Sequence, residues 1–457
     1  MNHRAWTPTV DKQMRTVLII AYFFPPLGGI GTQRALKFAR YLPQFGWRPV
    51  ILSVRGSPYS LRDPALMSQV SSDLPVFRAR TVEPEHLYNL YRRFLGGRNN
   101  ALKLASAGNT GDRSSTGSLA ARLENWLCIP DGRVGWLPFA VPLGKRILQT
   151  EEPSVIFSTS APYTAHLIAR RLAEWSELPW VLDLRDPWVD NHFQPSPTRW
   201  HRSLNTWLEG RCIRQADRVV CVTPLMTEEM RLRYADQPAD KFSTITNGFD
   251  AVDFDPGLAP DPGCFSIRHV GSLYAGRSAI PFLEGLVLAL RRNPRLKDVL
   301  QVEFIGAMDR LNRQAWEAFV SAHGLKNWVS SREFVPHSQA VRLMQQSQVQ
   351  LLIVGKGIRT GRIYPAKLFE YLGARRPILA VVPPGVTETL VRELEAGIVA
   401  DPDDVQSMAD AILEFYSWFQ QGKLQNWASK GVAAYERRHL TGQLASLLDT
   451  LVMERQE

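Results

Sequence analysis

The stretch Val17-Leu18-Ile19-Ile20-Ala21-Tyr22-Phe23-Phe24, followed by Pro25-Pro26-Leu27-Gly28-Gly29-Ile30-Gly31, decides the fold. A continuously apolar run of this length predicts a strand that is covered on both faces, as in a parallel sheet. Residues 34–45 then place apolar side chains at helical spacing, and residues 49–54 form a second apolar run. The order strand, glycine loop, helix, strand predicts the opening of a doubly wound α/β domain.

The same alternation continues along the chain and then starts again. Further strands are predicted at residues 76–79, 155–159, 180–184 and 218–222, with helices at 161–174 and 202–215. A stretch dense in Asp and Pro up to residue 263 indicates a linker. After it, strands are predicted at 266–270, 302–305, 349–354 and 378–382, with helices at 279–291, 314–322 and 366–373. The pattern predicts two Rossmann-like doubly wound domains.

Length, composition and charge limit the class of protein. A chain of 457 residues exceeds what a single core fills, and 45% apolar with 21% charged residues is typical of a globular protein. No apolar run near the start has the roughly 20 residues of a membrane span or the core of a signal peptide, so we expect a cytoplasmic protein. The net charge of +10 predicts an anionic partner, which is a nucleic acid, an acidic membrane surface or a phosphorylated small molecule.

The four cysteines, Cys128, Cys212, Cys221 and Cys264, show no close paired spacing. This argues against a disulfide framework and against a zinc site, and we interpret them as reduced packing residues. Asp253 and Asp255 form an Asp-x-Asp pair, but their setting in the Pro-rich linker indicates solvated loop aspartates and no metal site.

The strongest motif is the run from Gly361 to Leu372, Gly-Arg-Ile-Tyr-Pro-Ala-Lys-Leu-Phe-Glu-Tyr-Leu. Pro365 suits the first turn of a helix, which then places Lys367 and Glu370 three residues apart on one face. A helix N-terminus favours phosphate, and a carboxylate accepts hydrogen bonds from vicinal sugar hydroxyls. The spacing alone is equally compatible with an ion pair on a helix surface.

This run, together with Arg376-Pro377-Ile378-Leu379, resembles the donor-site helix of glycosyltransferase family 4, whose members have the GT-B fold and retain anomeric configuration. The resemblance implies an active site in the cleft between the two domains, with Glu370 on the ribose of a nucleotide-diphosphate sugar, Lys367 and Leu368 beside it and Val335 near the base. It implies no metal and no cofactor apart from this co-substrate. Arg362 stands where the family commonly has a second Glu that contacts the transferred sugar, which leaves the sugar open.

Two glycine loops complete the candidate donor site. Gly28, Gly29 and Gly31 would let backbone amides approach an anion closely, although a lone glycine loop is most often a tight turn. By resemblance this loop meets the donor phosphates and the acceptor, and Arg34 directly after it is a candidate acceptor-binding residue. A second loop runs from Gly271 to Arg277, whose guanidinium can bind phosphate bidentately and stabilise leaving-group charge. The alternative for Arg277 is a solvated surface arginine.

The segment Asp183-Leu184-Arg185-Asp186-Pro187-Trp188 ends a predicted strand, where ligands bind in open α/β sheets. Arg185 and Asp186 are candidates for acceptor binding, and a buried structural ion pair is an equal alternative. The candidate catalytic residues are Asp186, Arg277 and Lys367.

The resemblance, which runs from residue 17 to near residue 451, implies a domain division and an activity. We expect an N-terminal acceptor-binding domain over residues 1–255, a C-terminal nucleotide-sugar-binding domain over 256–435, and a helix over 436–457 that packs back on the first domain. The expected reaction transfers a sugar to a hydroxyl of a glycan or lipid-linked acceptor in cell-surface polysaccharide or glycolipid synthesis. The departing diphosphate takes the proton, so no strong protein base is needed.

A basic insertion at about residues 85–125 carries Arg92, Arg93, Arg98 and Lys103 with aromatic residues between them. It is compatible with an interfacial helix on an anionic membrane, at the inner face of the cell membrane, and slightly better with a polar structural insertion. Two other classes of protein stay open, a nucleotide-sugar epimerase of the same fold and a non-catalytic protein that binds anionic ligands or nucleic acid. The sequence lacks a concentrated basic and aromatic reading surface, so we expect no nucleic-acid partner.

Overall fold

The computed structural model of the chain describes residues 14–59, 61–84, 126, 128–189, 191, 196–274, 276–355 and 360–455. The basic insertion, with the four cations named above, lies outside the described residues. Within the described part, two parallel sheets form the centres of two α/β domains. No helix of that part is long and apolar enough to cross a bilayer.

The N-terminal sheet has seven parallel strands, β1 Arg15–Ile20, β2 Trp47–Arg55, β3 Val76–Arg80, β4 Val155–Thr159, β5 Trp180–Leu184, β6 Arg218–Cys221 and β7 Phe242–Thr244. Their order in the sheet is β3-β2-β1-β4-β5-β6-β7. The helices of this half are α1 Ile30–Tyr41, α2 Leu137–Glu151, α3 Thr164–Ser176, α4 Arg199–Gln215 and α5 Pro224–Arg233. Strand order reverses beside β1, the place where open α/β sheets bind ligands.

The C-terminal sheet has six parallel strands, β8 Phe265–Val270, β9 Leu300–Ile305, β10 Val329–Arg332, β11 Val349–Ile353, β12 Ile378–Val381 and β13 Gly397–Ala400. Their order is β10-β9-β8-β11-β12-β13. The helices are α6 Ile280–Arg292, α7 Arg310–Ala322, α8 His337–Gln345, α9 Ala366–Gly373, α10 Val386–Glu393 and α11 Val405–Gln420, and α12 Arg437–Glu454 ends the described chain.

Strand β1 is buried on both faces, as its unbroken apolar sequence predicts. Leu18 and Ile20 belong to the core beneath α2 and α3. Val17 and Ile19 point the other way, into the core formed with α1 and α12. The predicted architecture of two Rossmann-like domains is confirmed.

Two chain segments connect the domains and lie side by side. The N–H of Phe249 donates to the carbonyl of Tyr435 (3.1 Å), and the N–H of Arg437 donates to the carbonyl of Phe249 (2.8 Å). Gly248 makes this approach feasible, because a Cβ atom there would collide with the carbonyl oxygen of Tyr435. After this crossing, α12 packs against α1, and its Leu444 joins the N-terminal core.

Several elements differ from the sequence expectation, which contains none of β7, β10, β13, α5, α8, α10 and α11. Two helices show why. The helix predicted over residues 34–45 begins earlier, at Ile30, because the glycine loop ends at Gly29 with a left-handed φ of 91°. It ends at Tyr41 and is followed by a short 3-10 turn. The sequence pattern does not predict α2, since Pro138 and Pro142 are typical of turns, yet one lies in its first turn and the other inside the helix.

Candidate active site

The candidate donor site is built at the N-terminus of α9. Pro365 precedes the helix with extended backbone angles, and the helix buries its apolar side against the C-terminal sheet. The Tyr371 hydroxyl accepts a hydrogen bond from the N–H of Val270 (2.8 Å), which ties α9 to the end of β8. The side chain of Leu368 is fully buried in the core, and its N–H donates to the Pro365 carbonyl (3.0 Å) in the first turn; its contact with the donor stays a prediction.

Glu370 lies on the open side of α9 between two basic groups. Lys367 Nζ donates to Glu370 Oε2 at 2.5 Å, and His337 Nε2 lies 3.3 Å from Oε1. Burial by itself raises the pKa of Glu370, but the charges and hydrogen bonds of Lys367 and His337 outweigh it and hold the pKa at about 2. The carboxylate is therefore ionised, and each of its oxygens has a further lone pair for a ligand hydroxyl.

His337 and Asp253 belong to the cluster of charged groups around Glu370, although neither is predicted as a site residue from the sequence. The hydrogen bond to Glu370 is the main reason why the pKa of His337 is raised. Asp253, expected in a solvated linker, is half-buried. Burial raises its pKa, and the negative charges of Asp250 and Glu370 raise it too, while the positive charge of Lys37 lowers it. The only sequence signal for His337 is its place at the start of a helix after Val335, which is itself half-buried.

The loop after β8 is held closely against the neighbouring strand. The N–H of Gly271 donates to the carbonyl of Ile305 (2.9 Å). Gly306 directly beyond has a φ of 134°, and a Cβ atom there would collide with the Gly271 carbonyl oxygen. At the other end of the loop the half-buried Arg277 lies with its guanidinium 5.0 Å from the centre of the Tyr274 ring. The guanidinium of Arg277, the candidate for diphosphate binding, is thus oriented by an aromatic face.

Arg277 and Lys367 converge on one region, as their effect on His269 shows. This buried histidine lies at the end of β8, with Nδ1 2.9 Å from the carbonyl of Leu351. Burial, with the positive charges of Arg277 and Lys367 acting in the same direction, lowers the pKa of His269 to about 4 against the raising effect of the hydrogen bond to Leu351. Two cations and a neutral imidazole beside an N-terminal helix turn form an electropositive environment suited to a diphosphate.

The glycines of the first loop have packing partners inside their own domain. The N–H of Gly28 donates to the carbonyl of Leu61 (3.0 Å), and the carbonyl of Gly31 accepts a hydrogen bond from the Arg185 guanidinium. Gly29 precedes α1 with its left-handed φ. These contacts account for the tight turn, and the role of Gly28, Gly29 and Gly31 towards donor phosphates stays a prediction.

Arg34 is buried in contacts within its own chain. Its side chain is 3% exposed and its guanidinium donates to Asp183 Oδ1 at 2.7 Å. It also donates to the carbonyls of Ile245 (2.9 Å) and Thr246 (2.7 Å). Arg34 therefore joins α1, β5 and the first interdomain crossing, and its role towards an acceptor stays a prediction.

Arg185 and Asp186 follow β5 at the carboxyl edge of the sheet and are both half-buried. Burial lowers the pKa of Arg185, and the charge of Asp186 opposes this effect. The segment is held by Tyr163, whose ring stacks on Trp188 at 5.0 Å and whose hydroxyl donates to the Pro187 carbonyl (2.7 Å). The two side chains are thus placed at the open edge of the N-terminal domain.

Arg362 connects the two domains. Its guanidinium lies 2.9 Å from Glu229 Oε1 on α5, and its carbonyl accepts a hydrogen bond from Thr223 Oγ1 (3.4 Å). The loop around it is held on its own domain by Thr387 Oγ1, which donates to the Ile363 carbonyl (3.1 Å). The residue in the position of the usual glutamate therefore forms an ion pair with the opposite domain.

Two family models match the chain, one in each domain. Residues 28–248 match the glycosyl transferase 4-like domain, and residues 269–417 match glycosyl transferases group 1. No curated protein sequence matches the chain significantly.

Solved structures share the fold at low sequence identity. HepE from Anabaena, in complex with UDP and glucose, is 14% identical with a TM-score of 0.58, over 96% of this chain and 100% of that one. A glycosyltransferase from Rickettsia africae is 14% identical with a TM-score of 0.56, over 97% of both chains. The α,α-trehalose 6-phosphate synthase of Burkholderia multivorans is 13% identical with a TM-score of 0.56, over 97% of this chain and 98% of that one.

The two family matches together span most of both domains, and the neighbours share the arrangement of two parallel sheets along nearly their whole length. The chain belongs to the glycosyltransferase 4-like family and is a nucleotide-sugar glycosyltransferase with the GT-B fold.

Proposed function

We propose that the enzyme transfers a sugar from a nucleotide-diphosphate sugar to a hydroxyl of a glycan or lipid-linked acceptor, with retention of configuration. The observation that supports this most directly is the ionised Glu370, held by Lys367 and His337 at the N-terminus of α9. Glu370 accepts hydrogen bonds from the ribose hydroxyls, and Arg277 with Lys367 binds the diphosphate. Val335 lies near the base, and no metal or further cofactor is required.

The chemistry follows from where charge develops. When the anomeric C–O bond breaks, its electron pair goes to the oxygen of the departing diphosphate. Preorganised cations such as Arg277 and Lys367 stabilise that charge without reorganisation. The acceptor hydroxyl, oriented by Asp186 with Arg185 beside it, attacks the same face of the sugar and passes its proton to the diphosphate oxygen. This sequence of steps accounts for retention without a strong protein base.

For the acceptor and the place of action, we propose cell-surface polysaccharide or glycolipid synthesis on the cytoplasmic side of the membrane. The net charge of +10 supports an anionic surface as a partner. A lipid-linked acceptor would then be met where its headgroup leaves the bilayer.

The proposed donor site is tested by a thermal-shift series with UDP, GDP and ADP and their sugar conjugates. We expect one nucleoside diphosphate to raise the melting temperature of the wild type and to lose most of this effect in Glu370→Gln. If no nucleotide stabilises the protein, the donor assignment is wrong. Retention is tested separately, by reading the anomeric proton coupling of the product by NMR; an inverted product would contradict the same-face attack.

A further inference from the structure

We propose that the outer face of α2, α3 and α4 docks on an anionic lipid bilayer. We call this surface, away from the N-terminal sheet, the helical face. The inference deepens the proposed membrane setting, but it does not depend on sugar transfer. The residues that carry it all belong to the described part of the chain.

Helix α4 carries two large aromatic side chains on its outer side. Trp200 is 64% exposed and Trp207 is 53% exposed, and a spacing of seven residues places them in one stripe. Cys212 and Ile213, which pack into the core, lie on the opposite side of the helix. Trp126, 57% exposed, joins the stripe at its start through contact with the ring of His201 (5.0 Å between ring centres).

A groove between α2 and α3 continues the helical face. Its volume is about 570 Å³, and Leu137, Val141 and Pro142 form its apolar wall with Trp175. Lys145, Arg171 and Glu174 also line it, so its polar lining has two cations and one carboxylate, and Lys145 Nζ lies 5.0 Å from the centre of the Trp175 ring. An apolar floor with cations beside an exposed indole suits an amphiphile that has an anionic headgroup.

The charge of the helical face is strongly positive. Helices α2 to α4 contain eight lysines and arginines and three glutamates. Each glutamate is already paired: Glu151 with Arg48 (2.7 Å), Glu174 with Arg170 (3.7 Å), and the fully buried Glu209 with Arg233 (2.9 Å). Arg170 pairs with Glu174, and Arg214 pairs with Asp236 outside the three helices (2.8 Å). The cations of the three helices still outnumber their carboxylates, and this net positive charge complements the negative surface potential of an anionic leaflet.

Exposed tryptophans combined with lysine and arginine favour a bilayer interface over other anionic partners. Indole rings partition to the headgroup level, where their N–H stays hydrated and their rings meet acyl chains. Helix α4 follows β5, so its first turn, with Trp200, lies at the same edge of the sheet as Arg185 and Asp186. Docking through the helical face brings the proposed acceptor side of the cleft close to the lipid headgroups.

The experiment is sedimentation of the full chain with vesicles of phosphatidylcholine alone, or mixed with phosphatidylglycerol. We expect the wild type to bind the mixed vesicles and not the neutral ones. The double variant Trp200→Ala/Trp207→Ala should lower the bound fraction about fivefold or more, and Lys145→Glu/Arg171→Glu should abolish the preference for anionic lipid. Leu311→Ala/Met453→Ala, at positions that are 69% and 57% exposed on α7 and α12, away from the helical face, is the matched control and should bind like the wild type.

Three results would overturn the proposal. The first is that the wild type fails to bind the anionic vesicles. The second is that both helical-face variants bind them as the wild type does. The third is that the wild type is a dimer in solution and that Trp200→Ala/Trp207→Ala makes it monomeric, which would mean that a second copy covers the face. The thermal shift with UDP is measured on every variant, because an unchanged shift keeps the donor site independent of this outcome.

Discussion

Glu370→Gln tests the donor site most directly, because it keeps the shape of the side chain and removes its charge. The pKa of about 2, against an ordinary 4.5, corresponds to about 3 kcal/mol in favour of the carboxylate ion. In the variant, Lys367 and His337 lose that partner. We expect the free energy of unfolding to fall by at most about 3 kcal/mol, because the variant no longer buries a charge and recovers part of the loss.

The same substitution is expected to weaken nucleotide binding. Hydrogen bonds to a charged group contribute about 1.5–3 kcal/mol each. Loss of the ribose contact should therefore raise the Kd for UDP, or for the nucleoside diphosphate that stabilises the protein best, about 10- to 100-fold by calorimetry. A Kd for Glu370→Gln within about threefold of the wild type would refute the assignment of Glu370 to the ribose.

The pH dependence has a definite sign. Since the folded-state pKa of Glu370 is depressed, its contribution to stability is present above about pH 4.5 and is lost as the pH falls towards 2. The difference in urea unfolding between wild type and Glu370→Gln should be largest between about pH 4.5 and 6.5, shrink in acid, and also fall as the pH rises through the raised pKa of His337. Glu388→Gln is the control, because Glu388 is 27% exposed against 25% for Glu370 and pairs with Arg392 in the same domain. It should change stability by less than about 1 kcal/mol and leave nucleotide binding unaltered.

Three further perturbations test other parts of the site. Glu229→Gln removes the ion pair with Arg362, which should lower the free energy of unfolding by less than about 1 kcal/mol. It should also increase the radius of gyration of the nucleotide-free protein in X-ray scattering, because the two domains lose a contact. An unchanged radius would contradict that domain contact. Gly306→Ala forces a Cβ atom against the carbonyl of Gly271 at a φ of 134°, and should destabilise the protein by about 1–3 kcal/mol in denaturant; an unaltered midpoint would show that the loop has room. His337 has a raised pKa, so its stabilising effect is complete below about pH 6.5 and is lost as the pH rises through the raised value. The free energy of unfolding of His337→Gln should therefore differ from that of the wild type only on the acidic side. An NMR titration that places the pKa of His337 at or below 6.5 would contradict this.

The fold was predictable because its signals are local. The runs over residues 155–159 and 180–184 are mostly apolar and rich in β-branched and aromatic residues, and they match β4 and β5 residue for residue. Helix α9 also has its predicted bounds, since Pro365 marks its start. In α2 a proline lies inside the helix, where the local sequence pattern disfavours helical structure. There the tertiary packing of the segment determines its secondary structure.

The candidate site was predictable only in part, because its contacts join distant segments. Lys367 and Glu370 share one helix, so their spacing predicts their contact. His337 is 33 residues away from Glu370 and reaches it only through the order of strands in the sheet. Arg34 shows the opposite limit, since its place after a glycine loop suggests a ligand while its partner Asp183 is 149 residues further along. The roles of Arg277, Asp186 and the first glycine loop stay predictions.

The return of α12 to the first domain has a consequence for biogenesis. Leu440, Leu444 and Leu448 cover the same core as α1, yet a ribosome makes them only after the whole second domain. The first half of the chain therefore emerges with an apolar surface uncovered and cannot complete its core while it is being translated. Its final folding step follows that of the domain encoded after it, and a fragment that stops at the linker lacks a piece of its own interior.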